Sequence, residues 1–389
     1  MRITNNLIFD QFRRNLQLSA ENMLRSQEVM ATQKKINRVS DDPLAAGLAQ
    51  DARSRITATD QYVRNLGRAQ SDANLTDTFL SQCEDLLSRA KELMVSQANT
   101  ATATSSTREA VAIELVSLRS QLLAIANSRI GANYAFAGTA DGQMPFTPMS
   151  AAAAPPSYAG RASATTQILD EKAVTGDAYR ITFTAPGTYD VTDVTKGVTL
   201  ASGAAYASGG DIEFDGLLVK ITDAPGAPVA GDTYDVTVTM PGQYLGNSNE
   251  RKVEIERNSY VPTNTPGDRI FLGAGLAGGI NVFNVFNGAI NALRNNDASG
   301  IDATLDQFDN SHRQISGQRS VVGARQNLFD TTNTRLKSQG LEFETQRTLL
   351  EDADLADAST EFNKRETAYQ AALSVTSRIG QISLLDFLK

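Results

Sequence analysis

The sequence is poorest in the side chains that most enzymes use. Among 389 residues there is one histidine, His312, one cysteine, Cys83, and no tryptophan. Histidine and cysteine are the usual general bases, nucleophiles and zinc ligands, so any chemistry here would fall to carboxylates, lysines and hydroxyls. A lone cysteine excludes an internal disulfide framework and a thiolate zinc cluster, and leaves the redox compartment open. Positive charge is scarce as well: 36 Lys and Arg against 44 Asp and Glu give a formal charge of −8, with a pI near 4.9. Nucleic-acid binding by counterion release needs clustered Lys and Arg, and no such run occurs. Nor does any window approach the roughly 18 consecutive apolar residues of a membrane span. The opening stretch MRITNNLIFDQFRRNL has neither the apolar core nor the cleavage site of a secretory signal. These absences predict a chain that stays in the cytoplasm or is exported without a cleaved signal. It would be a non-enzymatic chain with no metal and no cofactor.

What the chain does have is heptad periodicity. Tyr62, Leu66, Ala69, Ala73, Thr76, Leu80, Cys83, Leu87, Ala90 and Met94 follow alternating four- and three-residue steps, the seam of a helix that packs along its length. Phe79, Leu86 and Leu93 broaden that face toward a multi-helix bundle. Val111, Leu115, Leu118, Leu122 and Ile125 predict a second helix. Ile301, Leu305, Phe308, His312, Ile315, Arg319, Val322, Gln326, Phe329, Asn333, Leu336, Gly340 and Phe343 predict a third. Running from Ser299 to about Leu350, this one would extend about 75 Å at 1.5 Å per residue. The chain ends carry thinner stripes: Phe9, Leu16, Met23 and Met30 at one, and Leu355, Phe362, Tyr369 and Thr376 at the other, with Leu373, Ile379 and Ile382 beside them. Such helices bury too little to stand alone, so these residues are expected to be covered by copies of the chain.

The middle differs in kind. Ala, Pro and Gly crowd residues 148–160, and then AYRITFT, GTYDVT, GVTL, DIEFDGLLVKIT, DTYDVTVTM and KVEIE alternate apolar and polar residues between turn formers. Roughly seven strands in an antiparallel sandwich or barrel are expected. The fold class is therefore α+β and multidomain: an elongated helical bundle or coiled-coil rod formed by both chain ends, with an inserted antiparallel β domain. The division expected is 1–42 with 352–389 as terminal assembly helices, 43–147 with 276–351 as the helical rod, and 148–275 as the insert.

Three stretches invite a chemical reading. Gly273, Gly275 and Gly278 form G-x-G-x-x-G between a possible strand and a helix, the local context of a dinucleotide fingerprint. That reading needs a second parallel strand ending in an acidic residue about 30 residues on, and RNNDASG follows instead. A nucleotide-binding enzyme built on Gly273 to Gly278 thus remains a remote alternative. EDADLAD, residues 351–357, lacks the glycine and distal glutamate of a calcium loop, and its acids suit the start of the Leu355 helix. In SDDP, Asp42 is placed to cap a helix that Pro43 opens, with the preceding helix stopping near residues 35–38. Asp41 and Asp42 then mark a joint between helices, with no base or metal partner close in sequence.

KINRVSDDPLAAGLAQ (35–50) resembles the amino-terminal motif of the bacterial flagellin family. VVGARQNLFDTTNTRL (321–336) and residues 351–388 resemble its carboxy-terminal region. GANYAFAGTADGQMPF (131–146) and YLGNSNERKVEIERNSYVPTNTPGDRIF (244–271) are closer to that family's hook–filament junction branch than to filament subunits. The resemblance implies a helical core built from both termini with a β insert, and secretion to the extracellular bacterial flagellum by its type III export apparatus. Implied partners are copies of the chain in a ring or helical lattice, hook-associated protein 1, flagellin and a flagellar export chaperone. The implied role is a structural adaptor in motility, with a divergent flagellin as the alternative.

Overall fold

A computed structural model describes residues 2–98, 103–154 and 162–387, and their side chains apart from those of residues 2–6, 8, 9 and 379–387. The chain divides into two compact units, Met1–Leu66 with Thr331–Lys389, and Gly67–Asp330. Two helices contribute to both: α2 (Pro43–Ala98) and α6 (Ala298–Glu351).

In the first unit, α1 (Arg2–Thr32) packs against α7 (Leu355–Phe387). The same unit holds residues 43–66 of α2 and 331–351 of α6. Ala49, Ala52, Thr59 and Leu66 are buried from α2, and Thr332 and Leu336 from α6. The Arg55 guanidinium stands 5.6 Å from the centroid of the Phe343 ring, in cation–π range.

The second unit holds the predicted seam. Leu66 at its edge and then Ala69, Ala73, Leu80, Cys83, Leu87, Ala90 and Met94 of α2 are buried, as are Ile301, Phe308, Ile315, Val322 and Phe329 of α6. These α6 residues fall seven apart, and Thr304, Ser311 and Gln318 between them are buried too, so three- and four-residue steps alternate along the face that meets the core. Helix α3 (Ser105–Ala126) starts at Thr104, which forms a reciprocal capping box with Thr107. It packs against α5 (Val282–Arg294), capped by Asn281. Cys83 is a buried core residue whose thiol is pushed up by desolvation. His312 is half-buried beside Leu87 and Phe308.

A two-residue ladder, β1 (Arg129–Ile130) with β2 (Asn133–Tyr134), leads into the insert. There β3 (Ser150–Ala154), β4 (Ser163–Ile168), β5 (Ala178–Ala185), β6 (Thr188–Asp193), β7 (Val198–Ala205), β8 (Asp211–Phe214), β9 (Leu217–Thr222) and β10 (Thr233–Thr239) form two antiparallel sheets. One is ordered β3-β10-β5-β6-β7 and the other β4-β9-β8. Their inner faces share one core, with Tyr179, Ile181, Phe183, Tyr234 and Val236 from the first and Ile212, Leu217, Val219 and Ile221 from the second. Alternate residues supply it, as the pleat requires. Two strands lie where the sequence is mostly Ala, Ser and Thr: β3 and β4 set Ala151, Ala153, Ala164 and Ile168 against this core and pair with β10 and β9. KVEIE pairs outside the sandwich, as β11 (Lys252–Glu256) with β12 (Ser259–Pro262).

The GANYAFAG, YLGNSNER and GDRIF segments meet in an aromatic knot. Phe136 and Phe146 each stack edge-on against Phe271 of α4 (Gly267–Phe271), with centroids 5.4 and 5.2 Å apart, and Tyr244 sits 5.1 Å from Phe146. Gly267 is required here, because a Cβ would lie 2.8 Å from the Phe146 ring and 2.9 Å from the Phe136 carbonyl. GDRIF is thus helical, where the sequence suggested a possible strand. Arg294 of α5 ties the sandwich to the helices, donating to the Val174 carbonyl at 3.1 Å and to that of Lys172.

Candidate assembly interface

The α1–α7 pair is packed along a polar seam. On α1, Phe12, Leu16, Ser19, Met23, Ser26 and Met30 are half-buried, and on α7 Ala358, Phe362, Arg365, Tyr369, Ala372 and Thr376 are. Both stripes follow four–three steps, but Ser, Thr, Arg and Ala occupy about half of the positions. Among the described side chains of these helices none is buried. Leu16, Met23, Met30, Phe362 and Tyr369 therefore lie on the shared stripe, whereas Leu355 and Leu373 are exposed. The side chains of Phe9, Ile379 and Ile382 lie outside the described residues. Sequence periodicity missed Leu7, Leu18, Leu24 and Val375, which are also exposed. The available signal was a cluster of leucines off the seven-residue register on an otherwise polar helix. Where the end of α1 meets the start of α7, Arg25, Val29, Ala353, Asp357 and Ala358 line a cleft of roughly 540 Å³.

Below the pair lies a joint of two chain segments. Helix α1 ends where Gln33 takes a φ of 57°. The next residues pair with the link between α6 and α7. Lys34 and Asp352 form an antiparallel bridge, the Lys35 N–H donates to the Glu351 carbonyl at 2.7 Å, and the Ala353 N–H donates to that of Gln33 at 2.9 Å. Lys35 Nζ donates to the Leu349 carbonyl at 2.6 Å, a cation at the negative end of α6. Asp41 Oδ2 accepts the N–H groups of Asn37 and Arg38 at 3.1 and 2.9 Å. The Arg38 bond is the main reason its carboxyl sits below the ordinary value. Asp42 Oδ1 accepts from Leu44 and Ala45 at 3.1 and 2.9 Å, capping α2 where Pro43 opens it. Asp354 does the same for α7 through Ala356 at 2.8 Å. Both aspartates of SDDP are thus occupied by backbone.

The glycine motif is also occupied. Gln314 Oε1 accepts the Ile280 N–H at 2.9 Å, and its Nε2 donates to the carbonyls of Ile270 and Ile280 at 2.7 and 3.0 Å. A Cβ on Gly273 would lie 2.5 Å from the Gly279 Cα, so this glycine permits a tight turn. A short helix, α4, precedes the loop, and no parallel strand pair occurs among the described residues. The loop thus lacks the strand context of a nucleotide site. Among the described residues no three His, Cys, Asp or Glu side chains converge where an ion could sit, and no helix is long and apolar enough to cross a membrane.

The long helices thus end in a pair whose described side chains are at most half-buried. The bacterial flagellin N-terminal helical region matches residues 3–139 and the C-terminal helical region residues 305–388. Flagellin of Clostridium tyrobutyricum is 24% identical over 391 residues, covering 98% of this chain and 99% of that one. Flagellar hook-associated protein 3 of Salmonella typhimurium is 30% identical over 147 residues, 38% of this chain and 46% of that protein. The structure of a putative flagellar hook-associated protein from Vibrio parahaemolyticus shares the fold, with a TM-score of 0.51 at 16% identity, covering 80% of this chain and 99% of that one. The chain belongs to the flagellin family, and it is a non-enzymatic structural component of the flagellum.

Proposed function

We propose that this chain is the adaptor at the hook–filament junction, assembling as a ring between hook-associated protein 1 and flagellin. One observation carries the assembly part of this reading: α1 and α7 have no buried side chain among those described, so their apolar residues gain cover only from neighbours. Phe9, Leu16, Met23, Met30, Leu355, Phe362, Tyr369, Leu373, Ile379 and Ile382 would be covered there, joined by Leu7, Leu18, Leu24 and Val375. In this reading residues 1–42 and 352–389 are the assembly layer. Before assembly an export chaperone would cover the carboxy-terminal helix, and the type III apparatus would carry the chain out of the cell. The identity to hook-associated protein 3 supports the junction position.

A second reading, a divergent flagellin that forms the filament, is favoured by the match to a flagellin along nearly the whole chain. Deleting the gene separates the two. Loss of a junction leaves hooks without filaments and sheds an intact, separate filament protein into the medium. If no other filament protein appears in the medium, the filament reading replaces ours.

A further inference from the structure

The cleft beside the glycine-rich turn presents hydrogen-bond donors that the chain itself leaves unused. It encloses roughly 460 Å³ between residues 276–279 and α6, where Asn310, Gln314 and Gln318 stand four apart and so share a face. Gln314 is committed, since its bonds to Ile270 and Ile280 fix the turn against the helix. Gln318 is not: it is 7% exposed, yet its amide has no hydrogen bond among the described residues. A buried amide in that state costs stability until something pairs with it. The N–H groups of Ala277 and Gly278 also lack a partner there. Arg313 is exposed, donates to Asn310 Oδ1 and enters no ion pair among the described residues. No Asp or Glu lines the cleft.

From these donors we infer that the cleft binds a carboxylate, and that its occupant is an exposed Asp or Glu side chain of a second copy of this chain. A carboxylate offers two oxygens and about four acceptor positions, a match for one guanidinium, one amide and two backbone N–H groups. A phosphate would bring further negative charge to a site with a single cation. Charge favours the second copy as the source. The chain carries 44 acids against 36 bases, so its copies repel one another unless some acids find partners across the contact, and Arg313 with the unused amides supplies one such partner. Gly317, where an added Cβ would meet nothing within 4 Å, leaves the α6 wall open to an incoming side chain. The choice of occupant rests on the assembly proposed above; the carboxylate chemistry does not.

The test begins with the full-length monomer, titrated with sodium acetate against sodium chloride at equal ionic strength and followed by NMR. Acetate should shift the Ala277 and Gly278 amides and the Gln318 side-chain amide, with half-saturation at or below about 100 mM, the affinity of one net charge-assisted hydrogen bond. Arg313→Gln should raise that concentration about tenfold, with amides of residues 80–94 unmoved. Acetate shifts no larger than those of chloride would overturn the site, and inorganic phosphate half-saturating at a lower concentration would overturn the carboxylate. The occupant is read in assembled flagella: Gly317→p-benzoylphenylalanine should, on irradiation, cross-link two copies of the chain. Cross-linking to a different protein, or none, would overturn the second copy. Since copies are neighbours in a ring and in a filament alike, this outcome is separate from the deletion test of the junction.

Discussion

Two regions of this chain use the same heptad period to different ends. In α6 the residues at seven-residue spacing, Ile301, Phe308, Ile315, Val322 and Phe329, are 0–2% exposed. In α1 and α7 the stripe through Leu16, Met23 and Met30 and through Phe362 and Tyr369 is only half-buried. Periodicity sets the face on which a helix packs; the residues on that face decide whether one chain can complete the packing. Large apolar side chains against Leu80, Leu87 and Met94 close a core. In α6 the polar residues Thr304, Ser311 and Gln318 are buried beside that apolar row, whereas Ser19, Ser26, Arg365 and Thr376 sit in a pair with no buried side chain among those described.

The largest contrast should come from truncating one seam residue in each region. Phe308→Ala removes a buried ring that stacks edge-on against Phe286 at 5.2 Å, and should cost about 3–5 kcal/mol in thermal or denaturant unfolding of the monomer. Met23→Ala should cost about 1 kcal/mol or less by the same measurement while weakening polymerisation. Equal losses would remove the distinction between the regions.

Next in size is the joint. Asp42→Ala leaves the first amides of α2 without their acceptor and should destabilise that end by about 1 kcal/mol. Pro43→Ala should alter assembly while circular dichroism shows the monomer still folded. If either variant melted the whole chain, the joint would not be a boundary.

Acid should act on the joint before the core. Burial alone would raise the Glu351 carboxyl, but Arg53 and then Lys34 outweigh it and hold it below the ordinary value. A carboxyl lowered in the folded state stabilises above its unfolded pKa, and that contribution is lost as pH falls through the folded value. Protection of the Lys35 and Ala353 amides should therefore be lost as pH falls below the ordinary glutamate range, ahead of the seam amides. Coincident loss would mean that the joint has no separate stability.

The smallest effect on the monomer should come from the outer leucines. Leu18→Asp changes a residue 56% exposed and should leave monomer stability within about 0.5 kcal/mol. Sedimentation under polymerising conditions should nevertheless show assembly lost. Unimpaired assembly would remove Leu18 from the interface.

The features legible in the sequence are those with repeated apolar signals. The seams of α2 and α6 and the strands from Tyr179 to Val236 show because each buried residue recurs at a fixed step. Strands β3 and β4 do not, since SAAAA and SATTQI carry no apolar alternation and depend on partners far along the chain. The ion pairs of Glu351 were equally invisible: its partners Lys34 and Arg53 are some 300 residues away, and burial of a carboxylate is a property of the folded joint. Asp42 and Pro43 were readable because a helix cap is local.

On this reading the α1–α7 pair is the part of the chain left for neighbours to complete. Hydrogen exchange on the full-length monomer at neutral pH tests it most directly, comparing residues 10–32 and 355–378 with residues 66–94 and 301–329. Exchange should be at least about a hundredfold faster in the terminal pair, as expected where opening is local rather than global. Protection of the pair equal to that of the buried seam would contradict it.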